Sequence, residues 1–354
     1  MDTNMRATLN RIPKAMLAVL GPLAALALLL SVQGCGTTAD ATTTAAGPTH
    51  AAALKVFNSY VTANKVAVAN HDQLLAQSLV SSAQVNILQS RYQMASSTGA
   101  QVTAPSYGKP TLYVPKLTTY PQWFIAVAPE YPAHGGAART AMLVFDRTDA
   151  SSSWTLNGTV QLNRDAPPLK VKLDQNGYAI PLATTDKDLL FRPDEVGAMQ
   201  ASLVDDGPSS AATKVVESGP LTTGYYWTNA AYANQLRPDH WAYTWQMEGT
   251  SFPFFALRTT GGGAIVFYTM SLNQQTQPVT KPPAHPKNPL PAIPVRDEYK
   301  PLLTPGQTPF TIEFDGGSTL QYLAVDPPNA SHGQAQGKLR IIGSGGGLTY
   351  AGGS

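Results

Sequence analysis

Chemistry in this chain has to come from few side chains. There is one cysteine, Cys35, and there are six histidines: His50, His71, His134, His240, His285 and His332. A zinc site needs Cys or His ligands clustered at short turn or helical spacings. No histidine has another histidine or Cys35 three or four residues away, so no such framework can be written. A serine nucleophile needs a shaped elbow of the Gly-x-Ser-x-Gly kind. Gly343-Ser344-Gly345 lies instead in a Gly-rich tail. Gly261-Gly262-Gly263 lacks the Lys-Ser/Thr of a phosphate loop and reads as a hairpin turn. Asp315 and Asp326 lack the spaced acidic companions of a calcium loop. The remaining pair is Asp239-His240, where a carboxylate can tune an imidazole. Trp241, Tyr243 and Trp245 follow it, inside an aromatic run that reads mostly as core. Where part of that run lines a concave sheet, Trp241, Tyr243, Trp245 and His240 make the candidate ligand pocket. No catalytic residue, metal ligand or cofactor is assigned.

Cys35 has a more specific setting. A basic head with Arg6, Arg11 and Lys14 leads into the apolar run Ala15–Leu30, which carries Gly21-Pro22 near its middle. A spanning helix needs roughly 20 apolar residues, and a proline in a helix interior removes a backbone donor. Head, short apolar core and small residues together read as a secretory signal over 1–34. Val32-Gln33-Gly34-Cys35 resembles the lipobox of bacterial exported lipoproteins, with Gln33 departing from the usual small residue. That resemblance implies a diacylglyceryl group on the Cys35 sulfur, cleavage before Cys35, and acylation (palmitate) of the new amine. The thiolate is the strong nucleophile that such alkylation needs, and two or more acyl chains anchor stably where one does not. The expected location is the extracytoplasmic face of the cell membrane, with the bilayer as partner.

Residues 1–34 hold three bases and one acid, so without them the net charge of +2 becomes 0. No Lys/Arg cluster remains, which argues against a nucleic-acid partner. A second cysteine is absent, so no internal disulfide can form.

The elements that must position any site follow. Residues 35–50 are Thr-, Ala- and Gly-rich and read as a flexible tether. Leu54, Phe57, Val61 and Val68, with Val56 and Tyr60, predict a helix from Ala51; Asn70-His71-Asp72 supplies a turn and cap before a second helical stretch to Ala95, with Ser81-Ser82 as a candidate break. Strands are expected at 113–117, 123–131, 141–145 and 154–162, with a hairpin at 132–136. Helices at 194–203 and 223–236 precede strands at 241–247, 252–258 and 264–272. A hairpin is expected about Gly316-Gly317, between 310–314 and 319–325. Trp123-Phe-Ile-Ala, a turn and Ala141-Met-Leu-Val-Phe resemble Phe254-Phe-Ala-Leu, three glycines and Ala264-Ile-Val-Phe-Tyr. These readings predict an α+β chain of two similar halves: 51–165, a connector at 166–193, and 194–342 with a Pro-rich excursion at 276–294. A Gly-rich tail, 343–354, closes it as either a final short strand or a frayed end.

Helices followed by an antiparallel meander is also the order of nuclear-transport-factor-2-like cone folds. With the lipobox and tether, the chain resembles uncharacterised lipoproteins of high-GC Gram-positive bacteria carrying tandem cone domains. The resemblance implies helices packed on a curved sheet in each half. Cone folds serve enzymes and binders alike. The absent catalytic set therefore points to a non-enzymatic module binding an envelope protein or an apolar or glycan ligand. The alternatives are an exported hydrolase or isomerase using Asp239 or His240, and a structural spacer.

Overall fold

The computed structural model describes residues 46–280, 290–304, 306–329 and 337–354. The signal, Cys35, most of the tether, His285 and His332 lie outside the described residues.

Helix α1 (His50–Ala69) begins where the Thr49 hydroxyl accepts from the Ala52 N–H, 3.2 Å away. Asp72 caps α2 (Gln73–Ser78) through the Leu75 N–H, satisfying donors that a helix start leaves open. Ser82, with φ +52°, separates α2 from α3 (Ala83–Thr98). The helical stretch expected from Asp72 to Ala95 is thus two helices. Strands β1 (Ser106–Tyr107), β2 (Thr111–Tyr113), β3 (Gln122–Tyr131), β4 (Arg139–Arg147) and β5 (Thr155–Leu162) follow. Then come α4 (Val196–Asp205), α5 (Thr223–Leu236), β6 (Trp241–Gly249), β7 (Phe255–Arg258), β8 (Ala264–Pro278), β9 (Phe314–Asp326) and β10 (Arg340–Gly353).

The expectation of two cone-like halves is overturned. Among the described residues the ten strands form one antiparallel sheet, ordered β1-β3-β4-β5-β10-β9-β8-β6. β2 extends the β1 edge along β3, and β7 extends the β6 edge along β8. The Gly-rich tail is β10, the strand that joins the first half to the second. The expected hairpin at Gly316-Gly317 is instead continuous strand β9. Gly316 is there for room: a Cβ would lie 2.5 Å from the Tyr299 ring.

Alternation along the strands then divides the side chains. Trp123, Met142, Val160, Phe255, Phe267 and Leu323 share one apolar cluster drawn from both halves. The sheet curls enough to bring Trp123 of β3 within 5.2 Å, ring to ring, of Phe255 of β7. The connector spans the remaining opening, pairing Ala179 with Pro115 and Pro181 with Leu257. On the opposite face, α1 buries Ala53 and Phe57 against Phe124, Leu143 and Phe145. α4 buries Val196, Leu203 and Val204 against Val266, Tyr268 and Tyr322. One inner core and two outer helical layers replace two separate cones.

The seam between β5 and β10 is narrow. The ladder comprises Leu162–Gly343 and Gln161–Ser344. Beyond it the two strands are linked by a side chain from the next strand. Gln321 of β9, fully buried, lies in register with Gly345 of β10. Its Oε1 accepts from the Thr159 N–H at 3.0 Å and its Nε2 donates to the Asn157 carbonyl at 3.3 Å, both on β5. The Gln84 Nε2 of α3 also donates to Gln321 Oε1, at 2.7 Å. A Cβ on Gly345 would stand 2.1 Å from the Thr159 carbonyl oxygen, and one on Gly346, at φ +97°, 2.1 Å from that of Thr319.

Asp326, at the end of β9, holds the connector. It is fully buried, its Oδ2 accepts from the Phe191 N–H at 3.3 Å, and its Oδ1 has no partner. Burial pushes its pKa up to about 7.

Three outcomes follow from this geometry. Gly345→Ala should lower the unfolding free energy in urea by about 2–4 kcal/mol, the cost of a steric clash at a packed site. Gly347→Ala, whose Cβ would meet nothing within 4 Å, should change it by under ~1 kcal/mol. Gln321→Leu should cost about 2–4 kcal/mol by stranding buried backbone groups of β5. Between the ordinary carboxyl pKa near 3.9 and about 7, folded Asp326 keeps a proton that the unfolded chain releases. Its contribution is full below the lower value and is lost as pH rises through the window. Asp326→Asn should therefore be about 2 kcal/mol or more stabilising at pH 8 and near neutral at pH 4, read by urea melts at both.

Candidate functional site

A cavity of about 520 Å³ opens between α1, α3 and the outer face of the first half of the sheet. Its floor is β3, β4, β5 and the glycine stretch of β10, and its walls are α1, α3 and the loop before β1. Ser344, Gly345 and Gly346 are the β10 part of that floor.

A row of polar groups crosses the floor. Glu130, 7% exposed, ends β3 in register with Arg139, which begins β4. The Gln161 Nε2 of β5 donates to Glu130 Oε1, and the Arg139 Nη1 donates to Gln161 Oε1 at 2.6 Å. The Tyr107 phenol, in register with Glu130 on β1, lies beside it and interacts with it electrostatically. Strands β3, β4 and β5 thus each contribute one member to a chain of fixed donors and acceptors, with the β1 phenol beside it. In the order β3-β4-β5 the Gln161 amide reaches past the start of β4 to Glu130, where Arg139 also bonds it.

The aromatic wall is electrostatically linked to this row. Burial raises the Tyr60 phenol pKa; Arg91 on α3 opposes that and Glu130 reinforces it. Burial raises Tyr107 further, with Tyr60 and Glu130 adding to the effect. Both phenols are therefore donors at neutral pH. Leu88, Val68 and Pro105 complete an apolar side. His134, in the hairpin at 132–136, is exposed on the rim.

The sequence-derived pocket residues lie elsewhere. Trp241 and Tyr243 are buried in a cluster with Leu236, Tyr299 and Phe314, between α5, β6 and the segment 293–314. The Tyr243 hydroxyl donates to Asn229 Oδ1 at 2.7 Å. Trp245 is half-buried and its Nε1 donates to the Val204 carbonyl at 2.9 Å. All three pack in this way, and the polar ends of Tyr243 and Trp245 are satisfied. His240, at φ +61°, caps the short 3-10 turn Arg237–Asp239 and is exposed, as is Asp239. None of the four lines the cavity. Ser344 stands in a regular strand opposite Tyr322 and Gln161, not on an elbow. Among the described residues no group of three or more His, Cys, Asp or Glu side chains is arranged to hold a metal ion.

Residues 47–353 match the family described as a domain of unknown function, DUF8094. The chain belongs to this family. The DUF8094 match runs through both halves and the connector, the same stretch that the single sheet spans. The chain is also similar to an uncharacterised lipoprotein of Streptomyces avermitilis, 25% identical over 249 residues, covering 69% of this chain and 72% of that protein. No solved structure matches the chain.

Glu130, Arg139, Gln161, Arg91 and Tyr107 carry no motif. A charge beside a hairpin turn looks like any solvated strand end, and only the sheet's curl and the helical cover make Glu130 a buried one. Tyr60, on the apolar face that the spacing predicts for the first helix, lines this cavity.

The raised phenols carry a measurable consequence. In the folded protein Tyr60 and Tyr107 should stay protonated through the ordinary range near pH 10, and the stability they contribute should fall as pH rises above it. Absorbance titration at the phenolate band should give the same native-range amplitude for wild type and Tyr107→Phe, the missing amplitude appearing on unfolding.

Proposed function

We propose that this DUF8094 protein is a lipid-anchored lipoprotein of the extracytoplasmic membrane face and a non-enzymatic binding module. Its binding site in this reading is the cavity between α1, α3 and the sheet. The similarity to a lipoprotein of a high-GC Gram-positive bacterium supports export, and the lipobox-like Val32–Cys35 supports an anchor at Cys35. The observation that carries the binding role is the Arg139–Gln161–Glu130–Tyr107 row. Arg139, Gln161 and Glu130 are locked to one another and laid, with the Tyr107 phenol beside them, along a concave floor, the arrangement that orients a small ligand. Phenols held protonated suit donation to a ligand better than proton abstraction.

The described chain starts at Ala46, whose carbonyl accepts from Gln122 Nε2 at 3.2 Å. Gln122 opens β3 and Glu130 lies at its other end, about 26 Å along a strand rising 3.3 Å per residue. The cavity therefore sits at the far end of β3 from the point where the tether joins the folded body, open to ligands from the surroundings.

Two measurements test this. Mass spectrometry of the membrane fraction should find an amino-terminal peptide beginning at Cys35 and carrying diacylglyceryl mass; a free Cys35 thiol there overturns the anchor. A thermal-shift screen of envelope metabolites should yield a stabilising ligand whose effect is lost in Leu88→Trp, which fills the cavity from α3. A ligand that stabilises both proteins equally places binding elsewhere.

A further inference from the structure

We infer that the cavity takes a hydroxylated ring bearing a single carboxylate, the chemistry of a hexuronic acid, as the free sugar or as the terminal residue of a saccharide. This rests on the binding reading above and specifies its ligand.

The charge count comes first. Glu130 is the carboxylate lining the cavity, whereas Arg91 and Arg139 bring two guanidinium groups. Among the described residues Arg91 takes part in no ion pair, and Arg139 commits one N–H to Gln161. A guanidinium has five donors and pairs best with a planar carboxylate through two of them. The surplus of one positive charge favours a monoanion. A dianion would place its second charge against Glu130, and a cation would face two arginines.

The floor then demands hydroxyls. An ionised carboxylate offers about four lone-pair directions. Gln161 donates to one of these on Glu130, and the Tyr107 phenol lies beside it. The others can accept from a ligand O–H, and a ligand without donors would leave this buried oxygen set short of partners. Planar carboxylate, amide and guanidinium groups from adjacent strands are suited to neighbouring hydroxyls on one ring. The aromatic and aliphatic wall of Tyr60, Tyr107 and Leu88 offers an apolar surface to the C–H face of the same ring. A volume of about 520 Å³ lies in the range of small-molecule sites and accommodates a sugar with its water.

Isothermal titration of the full-length protein with D-glucuronate, D-glucose, acetate and a glucuronate-terminated trisaccharide tests the assignment. Glucuronate should bind at least ~10-fold more tightly than glucose, the factor expected of one charge-assisted pair, with acetate below detection. Arg91→Gln, an exposed substitution that leaves the fold alone, should bring glucuronate down to the level of glucose. Glu130→Gln should weaken both sugars. Tighter binding of the trisaccharide assigns the polysaccharide end as the source; equal or weaker binding assigns the free sugar. Equal affinity for glucose and glucuronate, or an Arg91→Gln protein that still discriminates, overturns the inference. If neither uronate binds but another ligand is lost in Leu88→Trp, the ligand class fails and the binding site stands. If no ligand responds to Leu88→Trp, both fail.

Discussion

The fold depends on one side chain crossing one glycine. β5 and β10 form the join between the first five strands and the last five, and their backbone ladder is only two residue pairs long. Gln321 spans the next stretch from β9, passing Gly345 to reach the Thr159 N–H and the Asn157 carbonyl. A buried backbone donor or acceptor without a partner costs about 1–3 kcal/mol. The residue opposite Gln321 must therefore have no side chain, and Gly345 provides this. Leu79 and Ser81 complete the account, taking the Leu156 N–H and carbonyl where the sheet ladder no longer does. The edge of β5 is thus satisfied in turn by a loop, a glutamine and a strand.

The same join makes room for the candidate site. With glycine in β10, α3 can lie close to the sheet and send Gln84 to Gln321, while its later turns lead Gln93 to the Leu302 carbonyl in the second half. The cavity extends from Gln84 to the hairpin at 132–136, and the polar row from Tyr107 to Arg139 lies on its floor. Near the opposite end of β4 and β5, a second polar set closes the packing. Asp146 accepts from Ser81 and Asn157, and Asn157 also donates to Ser82, tying the α2–α3 junction to the sheet. One polar set is spent on internal contacts, whereas the other borders open space.

Local structure was legible where periodicity and caps agree. The Asn70-His71-Asp72 turn, the helix at 223–236, the strand at 123–131 and the 132–136 hairpin can be read directly from the chain. Glycine-rich text was the hard part. Gly316-Gly317 resembles a turn and Gly343–Gly353 a tail, because glycine is usually punctuation. Here its absent Cβ serves close packing: Gly316 beneath Tyr299, Gly345 beside the Thr159 carbonyl. Sequence alone does not distinguish the two uses, since the clash that decides belongs to a residue far along the chain. The Trp241–Trp245 run, read mostly as core, leaves a pocket role open in the sequence for a related reason. Aromatics mark burial, and burial in a core looks the same in one dimension as the lining of a pocket.

By itself the sequence determined the local elements, because helix caps, alternation and turn residues act over a few positions. It also presented Cys35 as the single thiol, placed behind a basic head and an apolar run. Tertiary structure decided that the two halves share one sheet and one inner core, because strand partners are chosen by contacts across the whole chain. It also decided that Glu130, Arg139, Gln161 and Tyr107, drawn from four strands, form one row. No pattern of spacing links these residues; the register of antiparallel pairing and the curl of the sheet bring them together.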